Sequence, residues 1–303
     1  METAVSLRGV VKTFGSFRAV DGVTFDVPRG DVFGILGPNG AGKTTTIRMI
    51  MDILRPDAGE VRILGERLGD VLKDRIGYLP EERGLYRKMK VAEMLEFHGA
   101  IKGMSRTEAR RAALLWLDRL QLGDWKDRKV DELSKGMQQK AQFVAAVLAK
   151  PDLLVLDEPF SGMDPVNQNL FKDVILDLNR TGTTILFSTH QMETAEKLCK
   201  RIVLIDHGKV VREGVLAEIK AGFGRNSVLL EFEGDGEFLR WLPHVIGVDD
   251  YGQYTEVLLE PGADPQKLLA EASPRLRIRR FEVVSPTLHS IFIALVGGGR
   301  THA

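Results

Sequence analysis

The run Gly37-Pro38-Asn39-Gly40-Ala41-Gly42-Lys43-Thr44-Thr45 holds the residue types needed to grip a phosphate chain. Glycines leave backbone N–H groups free to curl round a diphosphate, and a following helix N-terminus favours its negative charge. In this pattern the Lys43 ammonium reaches the β- and γ-phosphates and the Thr44 hydroxyl coordinates Mg2+. An apolar run, Val32 to Leu36, precedes the loop, and a helix-like run, Thr44 to Leu54, follows it. That context separates it from an ordinary glycine-rich turn, so nucleotide binding is expected.

A second stretch with chemistry is Leu153-Leu154-Val155-Leu156-Asp157-Glu158. Four apolar residues ending in two carboxylates read as a buried parallel strand with its chemistry at the carboxyl end. Such a strand puts Asp157 near a Mg2+ shell and leaves Glu158 facing the space beyond a γ-phosphate, where an attacking water must sit. Thr183 to Thr189 reads as a further β-branched strand ending at His190, and Arg75 to Pro80 as one ending at Glu81-Glu82. Ser134 is placed to cap a helix running to Lys150-Pro151, and Ser161 to Asp164 form a turn before a helix from Pro165. Phe14 reads either as a core residue or as a ring able to stack on adenine.

Positioning these groups takes several kinds of element. Val5 to Val11 and Ala19 to Val27 alternate like antiparallel strands. From Val91 to Ala149 the period is helical; Ser105 and Glu108 form a capping box, and Ala112, Leu115, Trp116 and Leu120 are expected on one buried face. Ile202 to Asp206 and Lys209 to Gly214 read as a closing hairpin. Beyond Gly222 the order is strand, helix (Gly236 to Leu242), two strands, helix, strand and a last helix starting at Ser285-Pro286.

The 303 residues suggest about two domains. With 42 Lys and Arg against 42 Asp and Glu, no global field draws the chain to nucleic acid or an anionic membrane. Cys199, the single cysteine, rules out an intrachain disulfide and fits a reducing cytoplasm. Met1 to Arg8 carries Glu2 and no apolar segment, so no secretory leader is expected. No stretch nears the roughly 20 apolar residues that span a bilayer, so a membrane role would come through a partner.

Taken together, the motifs from about residue 4 to 220 resemble the ATP-binding subunits of ABC transporters. The resemblance makes Phe14 the adenine-stacking ring, Gly37 to Thr45 the Walker A loop, and Leu133 to Gln138 the signature motif, with Ser134 and Gly136 set against the γ-phosphate of an opposite protomer. It makes Leu153 to Glu158 the Walker B strand, Ser161 to Asp164 the D-loop and His190 the switch histidine. Lys43, Glu158 and His190 are then the catalytic set, ATP the nucleotide, and Thr44, Asp157 and Glu81 the Mg2+ ligands. Glu81 departs from the usual pattern of the family, which places Gln at this position.

The implied fold is an α/β P-loop NTPase over residues 1–222. It has a RecA-like core, an antiparallel β-subdomain and a helical subdomain over about residues 88–150. Residues 223–303 resemble the small α+β, ferredoxin-like domain appended to some ABC-2 export subunits. The implied function is ATP hydrolysis powering a separate transmembrane permease for export, from the cytoplasmic face of the membrane. The working unit would be a dimer with a second ATP-binding subunit, identical or not. A soluble cassette acting on DNA or ribosomes is the alternative from another class; one cassette, one cysteine and zero net charge argue against it.

Overall fold

The structure, a computed structural model, describes residues 2–67, 69–82, 84–223 and 227–297. The expected C-terminal domain therefore extends beyond the described residues at 298–303. The chain opens with β1 (Thr3–Phe14), β2 (Phe17–Pro28), β3 (Val32–Leu36), α1 (Lys43–Ile50) and β4 (Ala58–Ile63). Next come α2 (Asp70–Lys73), β5 (Ile76–Leu79), α3 (Val91–Ile101), α4 (Arg106–Arg119) and α5 (Lys135–Val147). After these follow β6 (Leu153–Asp157), α6 (Pro165–Arg180), β7 (Thr184–Thr189), α7 (Met192–Leu198), β8 (Arg201–Asp206) and β9 (Lys209–Val215). The remaining elements are α8 (Leu216–Gly222), β10 (Ser227–Glu233), β11 (Val245–Asp250), β12 (Thr255–Leu259), α9 (Pro265–Ala272), β13 (Arg277–Val284) and α10 (Leu288–Gly297).

The described residues fall into two units. One holds those up to His190 together with Leu198–Glu213; the other holds Gln191–Lys197 and those from Gly214 onward. In the first unit a three-stranded sheet, ordered β2-β1-β4, is antiparallel. A six-stranded sheet is ordered β5-β6-β7-β3-β8-β9, with β6 parallel to β5 and β7, and β3 parallel to β7 and β8. Every residue of β3, β6 and β7 is buried, which is why these strands read as unbroken apolar runs. Parallel pairing brings their carboxyl ends to one edge, so the segments after Leu36, Leu79, Asp157 and Thr189 emerge side by side. Beneath that edge Phe25 and Phe33 stack at 5.6 Å, packed with Ile47, Val155, Leu186 and Val203.

Among the helices, α4 departs from its expected face. Its start is the expected capping box: Ser105 N–H donates to Glu108 Oε2 at 3.0 Å and Glu108 N–H to Ser105 Oγ at 3.3 Å. The buried row, however, is Ala109, Ala113, Leu117 and Leu120, whereas Leu115 is 63% exposed. Apolar residues surround this helix from Ala112 to Leu117, so periodicity alone admits two stripes, and packing against α3 and α5 selects one.

In the second unit the sheet is ordered β11-β12-β10-β13, with β10 antiparallel to β12 and β13, and β11 to β12. The helix expected from Gly236 to Leu242 is a short 3-10 turn, Glu237–Trp241, whose Leu239 is fully buried while Trp241 stands 83% exposed. The last helix begins at Leu288, not at Ser285-Pro286. Thr287 caps it, its hydroxyl accepting from Ser290 N–H at 3.1 Å. Buried Glu256 serves the same corner, accepting from Thr287 N–H at 3.0 Å, Ser290 Oγ at 2.8 Å and Ser227 Oγ at 2.5 Å. Glu196 of α7 accepts from Lys220 Nζ at 3.1 Å and from the Leu288 N–H.

Candidate active site

Two glycines shape the loop after β3. A Cβ on Gly37 would lie 2.1 Å from the Ile205 carbonyl oxygen, and one on Gly42 2.5 Å from that of Ala19. Gly42 also has a φ of 103°, which side chains rarely adopt. At these two positions the loop thus lies close against backbone, leaving no room for a side chain. Lys43 is buried, and its ammonium donates to the carbonyls of Gly37 at 2.9 Å and Pro38 at 3.0 Å.

The end of β6 supplies the carboxylates. Asp157 is wholly buried; its Oδ1 accepts from Ser188 Oγ at 2.5 Å and lies 3.2 Å from Thr44 Oγ1, while its buried Oδ2 has no hydrogen-bond partner. Burial pushes the Asp157 carboxyl above the usual range; the Ser188 and Thr44 hydroxyls oppose that, and the charges of Glu81 and Glu158 add to it. Thr44 Oγ1 is also 3.5 Å from Glu81 Oε2, so its one proton serves either carboxylate at a time.

Glu158 follows at a φ of 48°, unusual for a residue with a side chain. Its N–H donates to Ser188 Oγ at 3.1 Å. Its Oε1 lies 3.1 Å from His190 Nδ1 and 3.5 Å from Lys43 Nζ. Ser188 therefore fixes both acidic residues, donating to one and accepting from the other. Sequence reasoning passed over it, because its two contacts reach across the sheet; its place two residues before His190 on a buried strand was the available sign.

Of these groups Lys43, Thr44, Glu81 and Glu158 line a cavity of about 460 Å3, together with Phe14, Phe17, Ala19, Asn39, Gly40, Gly42 and Thr45. Phe14 is 48% exposed, so of its two readings the core one does not hold. Gly37, Pro38 and Ala41 belong to the loop behind this lining; Ala41 N–H donates to Pro38 at 3.2 Å. A concavity of this size, with convergent polar groups and a perturbed carboxyl, has the attributes of a binding site.

Ser134, Gly136 and Asp164 are not among the residues lining it. The Ser134 hydroxyl accepts from Met137 N–H at 3.3 Å at the exposed start of α5. Gly136 faces the Gly162 carbonyl, 3.9 Å from where a Cβ would sit. Asp164 caps α6 by accepting from Asn167 N–H at 3.0 Å, a bond that holds its carboxyl below the usual range.

Residues 20–161 match the ABC transporter family, and residues 214–296 match the C-terminal domain of DrrA1-3-like ATP-binding proteins. The chain is 44% identical to the uncharacterized ABC transporter ATP-binding protein YhaQ of Bacillus subtilis, covering 95% of this chain and 97% of that protein. It is 36% identical to the daunorubicin/doxorubicin resistance ATP-binding protein DrrA of Streptomyces peucetius, over 97% of this chain and 92% of that one. The dimeric structure of the bacterial ABC transporter cassette MJ0796 superimposes with a TM-score of 0.66 at 27% identity, covering 70% of this chain and 98% of that cassette. The chain belongs to the ATP-binding, ATP-hydrolysing subunits of ABC transporters.

Proposed function

We propose that this subunit powers export through a separate transmembrane permease, working from the cytoplasmic face as a nucleotide-bridged pair with a second ATP-binding subunit. The observation that carries the reading is the meeting of Glu158, His190 and Lys43 at the mouth of the phosphate loop. Among the described residues no helix is long and apolar enough to cross a membrane, so the membrane path is assigned to the partner. The DrrA-like C-terminal match and the drug-resistance relative support the outward direction.

In this reading Phe14 takes the base, and residues Gly37 to Thr45 cradle the triphosphate. Lys43 exchanges its loop carbonyls for phosphate oxygens, and Glu158 accepts a proton from the attacking water. His190, as its Nδ1–H tautomer, donates to Glu158 Oε1 and keeps that carboxylate aimed.

Thr44, Asp157 and Glu81 fit a hard, oxygen-seeking cation, since Asp157 Oδ2 is a buried acceptor without a donor. Among the described residues no three or more His, Cys, Asp or Glu side chains are grouped to hold a metal alone; Mg2+ characteristically takes few protein ligands and completes its shell with water and phosphate. Bound Mg2+ would neutralise charge on the β- and γ-phosphates.

Ser134, Gly136 and Asp164 would complete the site of the opposite subunit. Residues 1–222 are proposed as the ATP-binding domain and the remainder as an accessory domain, whose sheet order β11-β12-β10-β13 supports a ferredoxin-like arrangement. Expression of tagged chain beside the genes flanking its own, followed by affinity purification from membranes, tests the assignment. A co-purifying polytopic protein that stimulates ATP hydrolysis is expected; recovery of the chain only from the soluble fraction, with or without DNA or ribosomes, would overturn it.

A further inference from the structure

We infer that Phe17 is a second base-contacting ring, which widens the platform offered by Phe14 and biases the site toward purine nucleotides. The inference rests on the reading of this cavity as an ATP site.

Phe14 and Phe17 are register partners that close the β1–β2 hairpin around Gly15-Ser16. Residues directly opposite on an antiparallel pair project to the same face of the sheet. Both line the cavity that holds the phosphate loop. Phe17 is 62% exposed, more so than its partner. A lone exposed phenylalanine would need no explanation, but two rings on one face, opening onto one ligand cavity, are a surface with an occupant.

Charge and reach decide what the occupant is. Lys43, Thr44 and the loop glycines Gly40 and Gly42 give the cavity lining suited to a triphosphate, and the two rings line it from the hairpin tip. A ligand with anions at one end and a flat aromatic body at the other matches both. Phe14 cannot offer both of its faces. Lys12 Nζ lies over the ring 5.8 Å from its centroid, anchored by the Arg55 carbonyl and Asp57 Oδ1, each at 2.8 Å. With one face of Phe14 taken by a cation, added stacking area must come from alongside, where Phe17 sits. A bicyclic purine gains more from such a widened platform than a pyrimidine, while adenine and guanine gain alike, because stacking reads area and not hydrogen-bonding edges.

Calorimetric titration of the full chain and of Phe17→Ala with ATP, CTP and inorganic tripolyphosphate tests this. Loss of one aromatic–base contact is expected to weaken ATP binding about tenfold, CTP less, and tripolyphosphate not at all, with Phe17→Trp restoring ATP. Unchanged ATP affinity, or equal weakening of ATP and tripolyphosphate, would overturn the inference, the latter because it signals a disturbed loop. Phe14→Ala keeps the two readings apart. If it weakens ATP while Phe17→Ala does not, only the role of Phe17 falls; if the wild-type chain binds neither ATP nor tripolyphosphate, the underlying reading falls.

Discussion

Glu158 Oε1 stands 3.1 Å from His190 Nδ1, joining the residue after β6 to the residue after β7 at one edge of the sheet. The same oxygen is 3.5 Å from the Lys43 ammonium, so one carboxylate is shared by two polar partners from different elements. Glu158→Gln keeps the shape and removes the proposed base. It is expected to bind ATP and to hydrolyse it about 10² to 10⁴ times more slowly, the span of general-base catalysis. Single-turnover assays check this, and near-normal turnover would remove Glu158 from the mechanism.

Burial raises the Asp157 carboxyl above its ordinary pKa. A carboxyl with a higher pKa in the fold than in the unfolded chain holds its proton more tightly when folded. Its unfavourable contribution is absent below the unfolded value, near 4, grows as pH rises toward the folded value, and is complete above it. Without nucleotide or Mg2+, Asp157→Asn is expected to melt about 2–4 °C higher at pH 7, the equivalent of about 1 kcal/mol. The gain should shrink toward pH 4. Melting curves across that range decide it, and a variant less stable at pH 7 would contradict the account.

Ser134 sits at the exposed start of α5 and is not among the residues lining the cavity of its own chain. Lys43→Ala and Ser134→Arg subunits, each inactive alone, are therefore expected to regain activity when mixed. Random pairing of equal amounts makes half the dimers mixed, each with one of two sites intact, so about a quarter of wild-type hydrolysis should return. No recovery in verified mixed dimers would count against a shared site.

Glu81 places a carboxylate 3.5 Å from the Thr44 hydroxyl and its charge raises the Asp157 carboxyl. Glu81→Gln is expected to keep hydrolysis within about tenfold, a barrier change of about 1.4 kcal/mol, while shifting the Mg2+ concentration for half-maximal rate. Superimposable Mg2+ titrations would leave Glu81 as a solvated loop residue.

The parts of this molecule that announce themselves in sequence are those governed by local constraint. Gly42 must be glycine because of its φ and the nearby Ala19 carbonyl, and Leu153 to Leu156 must be apolar because neighbours cover both faces of β6. What stays hidden depends on distant partners. The buried stripe of α4 is chosen by α3 and α5 among apolar residues on every side. Ser188 matters only through its bonds to Asp157 and Glu158, and Phe17 only because the hairpin sets it beside Phe14 at the cavity. The 3-10 turn at Glu237–Trp241 is similar: its polar and apolar spacing suits a helix, yet the chain buries Leu239 in the core of its unit and leaves Trp241 exposed.

The position of α7 bears on the time course of synthesis. Its residues Gln191–Lys197 group with the second unit, and Glu196 accepts from the Leu288 N–H. Leu288 leaves the ribosome about 90 residues after α7, a delay of roughly 5–20 s at ordinary elongation rates. During that interval Glu196 lacks the Leu288 N–H it finally accepts from, although Lys220 follows it by only 24 residues, so a nascent chain can finish the loop from Gly37 to Thr45 well before α7 gains its last partner. Slow codons or a pause between Gly214 and Leu288 would lengthen that window, and a protease added to stalled ribosomes would be expected to cut first at α7.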